Sequence, residues 1–169
     1  NLSRMNKNVL KNLYNIKLNS KNTELSSFSS KSSFLDCNLK SINAIFLKLS
    51  NIGENEYQFT KEDFYNSLQK NENNNIIILN NGIMLINNLF EKLKINALIF
   101  LRLKSPISYE HNDKLDIIFA LITPKNIKTG PKLQMLSILS RILKKPNIRK
   151  KIRGAKKISD VLALLLPSI

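Results

Sequence analysis

The chain has 169 residues, with 27 Lys and Arg against 12 Asp and Glu, a formal net charge of +15. Cys37 is the only cysteine and His111 the only histidine, which excludes an internal disulfide scaffold and leaves a Cys/His zinc site short of ligands. Hydrophobic residues make up 43%, enough for one globular domain, and no apolar run reaches the roughly 20 residues of a membrane span.

The basic excess invites a nucleic-acid reading. Its make-up points elsewhere. The positive charge is almost all Lys, the arginines being only Arg4, Arg102, Arg141, Arg149 and Arg153. Lys, Asn and Ile are inflated together, as expected of an A/T-rich genome whose codons favour them.

Residues 1–24 carry no acidic group before Glu24 and read as a flexible basic N-terminal extension. A transit peptide would share that character, but arginine is rare here. Ser26 to Ser33 is Ser-rich and reads as a mobile lead-in. The body begins near Leu35. Leu39, Ile42, Ile45, Phe46, Leu49 and Ile52 recur at three- and four-residue steps, the mark of an amphipathic helix. Thr60-Lys61-Glu62-Asp63 predicts a helix start, with the two acids at the positive helix end. Phe64, Tyr65 and Leu68 give that helix an apolar face, and the Asn-rich stretch Asn71 to Asn75 is expected to end it.

Strands follow. Ile76 to Leu79 is a β-branched run closed by the turn signal Asn80-Asn81-Gly82, and Ile83 to Ile86 is a second run closed by Asn87-Asn88. Ala97 to Leu103 is a third, expected to stop at Lys104-Ser105-Pro106 because Pro removes a ladder donor. Leu115 to Ile122 is a fourth, continuous enough to be buried on both faces. Helices then return. Gly130-Pro131 opens one through Leu133, Leu136, Leu139, Ile142 and Leu143. Pro146 starts a shorter one with Gly154 as its C-terminal cap, and Ser159-Asp160 opens a last, stopped by Pro167. Helices, strands, then helices again predict a layered α/β or α+β domain.

A family resemblance rests on two segments. The first is Phe100-Leu101-Arg102-Leu103-Lys104-Ser105-Pro106-Ile107-Ser108-Tyr109. The second is Leu115-Asp116-Ile117-Ile118-Phe119-Ala120-Leu121-Ile122-Thr123-Pro124, with the helix Leu133 to Leu143 behind it. Together they resemble the type-2 enzyme IIA domain of the bacterial phosphoenolpyruvate phosphotransferase system, in its nitrogen-regulatory branch. The resemblance implies a single α/β domain over residues 25–169, a mixed β-sheet flanked by helices as in mannitol/fructose-type enzyme IIA. It also implies a cytoplasmic protein with no cofactor and no metal.

The family moves a phosphoryl group from an HPr-type phosphocarrier to one IIA histidine, inside a motif of the form G-S-T-G-I-G-N-G-x-A-I-P-H-G. Laid on that motif, Asn80, Asn81 and Gly82 stand at the phosphate-loop equivalent, Ile86 replaces the Pro, and Asn87 replaces the acceptor histidine. A second family histidine has no counterpart; Lys132 and Gln134 occupy its neighbourhood. His111 falls in a variable family loop and reads as a solvated imidazole. An Asn amide is not a nucleophile at phosphorus, so no phosphoryl transfer is expected.

Three readings of function remain. One is a non-phosphorylatable regulatory protein of the phosphotransferase system. By the resemblance, its partners are an HPr-type phosphocarrier, a sensor kinase or a potassium transport protein. Another is a decaying, non-functional paralogue. The third is a basic module binding nucleic acid or an acidic partner. Its patch would be Lys144, Lys145, Arg149, Lys150, Lys151 and Arg153, with Lys156 and Lys157 beyond, in a stretch without Asp or Glu from Lys125 to Lys157. No aromatic interleaves there, which disfavours base stacking. Asp116 is expected to fix its strand's entry, and Cys37 to be a partly buried, unreactive thiol.

Overall fold

A computed structural model describes residues 30–70, 72–79, 81–91, 93, 96–125, 136–137 and 139–165. After a 3-10 turn at Ser30–Ser32 come β1 (Ser33–Cys37), α1 (Ile42–Tyr57), α2 (Lys61–Lys70) and a single turn, α3 (Glu72–Asn75). Then follow β2 (Ile76–Leu79), β3 (Ile83–Leu89), β4 (Ala97–Tyr109) and β5 (Asn112–Thr123). Residues 136–137 and 139–143 are helical, and α4 (Pro146–Gly154) and α5 (Ile158–Leu165) complete the described chain.

The strands form one five-stranded mixed sheet in the order β1-β4-β5-β3-β2. β1 runs parallel to β4 and β3 parallel to β5, while the β4–β5 and β2–β3 pairs are antiparallel. Alternation along each strand sends residues to opposite faces. Met84, Ile86, Ile99, Leu101, Ile118 and Ala120 pack with Ile45, Phe46 and Leu49 of α1 and Phe64 and Leu68 of α2. Ile83, Leu85, Leu98, Phe100, Ile117 and Phe119 pack with Leu139, Leu143, Ile152 and Val161 of the C-terminal helices. Both faces of β4 and β5 are therefore covered, which explains their unbroken apolar runs. The architecture is the expected α/β domain, a mixed sheet flanked by helices.

α1 starts where Ser41 caps the amide of Ala44 at 3.1 Å, and ends at Gln58 in the left-handed region. Its Gly53 faces the Phe59 ring, which occupies the space a Cβ would need. Phe59, Phe64 and Phe90 stack about one another with ring centroids 4.7 to 5.3 Å apart.

Five expectations need correction, the first being that β3 does not close at Asn87-Asn88 but runs on to Leu89, with both asparagines paired to β5. The Ser-rich lead-in is ordered structure from Ser30: Ser32 is fully buried and its hydroxyl donates to the Leu98 carbonyl at 3.2 Å, and β1 begins at Ser33. The Asn-rich stretch does not simply end α2 but winds another helical turn, α3, before β2. β4 does not stop at Pro106; it continues to Tyr109 through an irregularity between Arg102 and Ile107. Pro106 lies exposed in that interruption, where the ladder asks for no donor. Gly154 is the last helical residue of α4, and Ala155, in an extended conformation, is the cap. Residues 1–24, the Gly130-Pro131 helix start and Pro167 lie outside the described residues.

Candidate functional site

β3 is longer than its neighbour β2. Ile76 pairs with Ile86, so Asn87, Asn88 and Leu89 extend past the β2 edge while still pairing with Leu121, Ile122 and Thr123 of β5. Two adjacent asparagines thus share a strand end but face opposite layers.

Asn88 points to the α1–α2 side and is fully buried. Its carbonyl oxygen accepts from the Asn75 amide at 3.1 Å, and its own amide donates to the Ser67 hydroxyl at 3.0 Å. α2 and α3 therefore close over this strand end through a paired polar network, which the low dielectric around it strengthens.

Asn87 points to the other side, with Ile83 and Leu85. It is part-buried, and its Oδ1 is buried with no hydrogen-bond partner among the described residues. Thr123, on the same face and 1% exposed, likewise has a buried Oγ1 without a partner there. Ile77, opposite Leu85, and Leu89, two residues beyond Asn87, are 45% and 46% exposed on this face. The outcome is a polar position set between two exposed apolar side chains at the sheet's end. Beside it, Phe90 donates its amide to the Thr123 carbonyl at 2.9 Å, and the exposed Lys125 pairs with Glu91. That hydrogen bond lowers the Glu91 pKa and raises that of Lys125.

The other end of β3 is set by the turn at Asn81 and Gly82, both with positive φ. Gly82 is required there by more than its φ of +85: a Cβ would sit 2.3 Å from the Lys114 carbonyl oxygen. Arg153 of α4 reaches this turn. Its Nε and Nη2 donate to the two oxygens of Asp116 at 2.9 and 2.8 Å, and Nη2 also donates to the Asn81 carbonyl. The Asp116 hydrogen bonds raise the Arg153 pKa. Arg149 donates to the Leu143 and Lys144 carbonyls at 2.8 and 2.6 Å, closing the end of the preceding helix.

Of the residues singled out in the sequence, the structure brings Asn81 and Gly82 together with Arg153, and sets Asn87 five residues further along β3, about 16 Å away. Lys144, Lys145, Lys150 and Lys151 are exposed. Lys132, Gln134 and Asn80 lie outside the described residues. His111 is exposed in the β4–β5 turn, ten residues before the Leu121 that pairs with Asn87, about 33 Å along the strand. Cys37 is half-buried, and burial pushes its thiol pKa up, away from reactivity. Among the described residues no three His, Cys, Asp or Glu side chains cluster as metal ligands, and no helix is long and apolar enough to cross a membrane.

Arg102 carried no expectation, although a lone charge inside the apolar run Ala97 to Leu103 was a signal that it needed a partner. It is 9% exposed. Its Nη1 donates to the Ile152 and Arg153 carbonyls at 3.0 and 3.2 Å and to that of Ala155, and its Nη2 to Asp36 at 3.0 Å. One guanidinium thus caps the C-terminal carbonyls of α4 and ties that helix to the middle of the sheet.

Residues 26–167 match the model of the family described as the phosphoenolpyruvate-dependent sugar phosphotransferase system, EIIA 2. Among solved structures, the nitrogen regulatory protein IIA-Ntr from Neisseria meningitidis is similar with a TM-score of 0.74 and 23% identity, covering 80% of this chain and 93% of that one. The mannitol IIA of Escherichia coli is similar at 0.65 and 13%, covering 81% and 97%. The enzyme IIA in the complex of mannitol IIA with phosphorylated mannitol IIB, also from Escherichia coli, is similar at 0.66 and 11%, covering 83% and 97%. Compared by sequence with curated proteins, the chain matches none.

Proposed function

Because the chain belongs to the type-2 enzyme IIA family of the phosphoenolpyruvate-dependent sugar phosphotransferase system, we propose that it is a regulatory protein of the nitrogen-regulatory kind that takes up no phosphate. Asn87 stands in this reading where the family's acceptor histidine belongs. An amide nitrogen has its lone pair drawn into the carbonyl and does not attack phosphorus, so the phosphoimidazole is not made. Phosphorylation would add about −1.5 to −2 charges. Without it, the docking face stays in the neutral state, and a partner that reads that state meets a constant signal.

The observation that carries the proposal is the state of the strand end. Asn88 is buried and bonded on both sides, and Asn87 lies between the exposed Ile77 and Leu89. In this reading the position of the family's histidine falls on a surface with an apolar rim, as a protein-docking face requires. An HPr-type phosphocarrier, a sensor kinase and a potassium transport protein are the partners to try, in the cytoplasm.

Incubation with phosphoenolpyruvate, enzyme I and the HPr-type carrier should leave no acid-labile phosphate on the chain. Stoichiometric phosphohistidine at His111 would overturn the reading. In the same preparation, the chain should retain a carrier, kinase or transporter subunit from a cognate lysate, and Ile77→Glu with Leu89→Glu should release it. Retention of none of these favours a decayed paralogue.

A further inference from the structure

We propose that the groove between α4 and α5 is a docking site for an acidic, leucine-bearing segment of a partner polypeptide, separate from the Asn87 face. The groove has a volume of about 790 Å³ and is lined by Asn147, Lys150, Lys151, Lys156, Lys157 and Asp160, over a floor of Gly154, Ala155 and Leu164. The four lysines are exposed, and none has an ion pair among the described residues. Asp160 is the one acid of the lining, and it sits in the first turn of α5, where the helix end favours it.

The arginines of the same stretch are used otherwise. Arg149 holds the Leu143 and Lys144 carbonyls, and Arg153 holds Asp116 and Asn81. That division separates two roles which the charge count merges. The guanidiniums, with their rigid forks, fix α4 in place, and the ammoniums, as mobile point charges, are left to face an outside partner.

The chemistry of that partner follows from the lining. A rim of cations around Ala155 and Leu164 is complementary to carboxylates around an apolar anchor. A nucleic acid would use the lysines but has nothing for the floor, and the lining holds no aromatic side chain on which a base would stack. The groove is also short. α4 and α5 span nine and eight residues, about 13 and 12 Å, less than an extended phosphate track needs.

Position decides what the site adds. Gly154 and Ala155 of the floor adjoin Arg153, which touches the turn at the start of β3, whereas Asn87 lies at the far end of that strand. A segment held in the groove leaves the Asn87 face open. The chain would then join two partners, one at each end of β3.

The test is fluorescence anisotropy on the full chain at about 0.05 M salt, where screening is weak. The probes are a labelled peptide of glutamates around one leucine, the same peptide with serine for leucine, and a single-stranded RNA. The leucine peptide should saturate and bind tighter than the other two. Lys151→Glu with Lys157→Glu should weaken it about tenfold or more, and Lys151→Gln with Lys157→Gln by less, since the charge at the rim sets the complementarity. Lys144→Glu with Lys145→Glu, exposed but outside the groove, should weaken it by clearly less than the Lys151 and Lys157 glutamate pair does. No saturation, tighter binding of RNA, or equal losses in the two glutamate pairs would each overturn the proposal.

Discussion

Arg102→Met removes the tether between the sheet and α4, and two of its interactions can be weighed against each other. The ion pair with Asp36 is 3.0 Å long, but the Asp36 side chain is 69% exposed. Water screens such a pair, so it is worth about 1 kcal/mol or less. The carbonyls of Ile152, Arg153 and Ala155 are different. They converge on one nitrogen of a side chain only 11% exposed, and a hydrogen bond to a charged group contributes about 1.5–3 kcal/mol. Three bonds on one Nη1 do not add in full, and removing the buried charge relieves some desolvation. The net loss expected is about 3 kcal/mol. Asp36→Asn, which keeps a residue tolerant of the positive φ at that position, should lose about 1 kcal/mol or less. Urea unfolding followed by far-ultraviolet circular dichroism reads both. With a slope of about 2 kcal/mol per molar urea, the Arg102→Met midpoint should fall by about 1.5 M and that of Asp36→Asn by no more than about 0.5 M. Equal midpoints for the two variants would show that the ion pair, not the carbonyl cluster, holds α4.

The same unfolding assay checks four further expectations. Asn88→Gly should cost about 2–3 kcal/mol because it takes away the buried partner of Asn75 and Ser67. A midpoint unchanged would mean that the network contributes nothing. Asn87→Leu should stabilise the free chain by about 1 kcal/mol, since it removes a buried unpartnered oxygen, while weakening capture of a carrier or kinase; tighter capture would contradict the docking role. Gly82→Ala should cost about 2–4 kcal/mol, from the left-handed φ and the Lys114 carbonyl 2.3 Å from the new Cβ, whereas Asn81→Gly should be close to neutral. Tyr109 donates to Glu72 at 3.1 Å, and burial, with that hydrogen bond, pushes its pKa from 10.0 up to about 12. Its folded pKa is the higher, so its contribution is complete below pH 10.0 and is lost as pH rises to about 12. The stability gap between the wild type and Tyr109→Phe should therefore shrink across that window, and a constant gap would refute the linkage.

The sheet was legible where the side-chain pattern and the turn chemistry agree. Ile76 to Leu79 and Ile83 to Ile86 read as two strand runs separated by a turn signal at Asn80-Asn81-Gly82, and they pair antiparallel as a hairpin. Reading failed where a residue's usual meaning was reversed by its surroundings. Pro106 normally ends a strand, but in an interruption of the ladder it takes nothing from β4. Ser32 and Ser33 look like linker, yet they are small enough to lie buried against β4, where Ser32 finds the Leu98 carbonyl. Arg102 is invisible as a tether because its partners are backbone carbonyls some fifty residues away, and carbonyls leave no trace in a sequence. For the same reason the basic stretch could not be divided into arginines turned inward and lysines turned outward.

Asn87 and Asn88 show how far identity falls short of role. The same drift toward Asn would account for both letters. Their environments differ. Asn88 faces a layer that answers each of its polar ends, so it stabilises the fold. Asn87 faces a layer in which its oxygen and that of Thr123 are buried without an answering donor among the described residues, beside two apolar side chains left in solvent. For folding alone, a leucine or isoleucine at 87 would serve better, and this chain uses both freely in the same strand. The cost of Asn87 is not offset by any contact among the described residues. It is explained if a partner supplies the donor and covers Ile77 and Leu89, because a buried acceptor that is costly in the free chain then becomes a source of specificity in the complex.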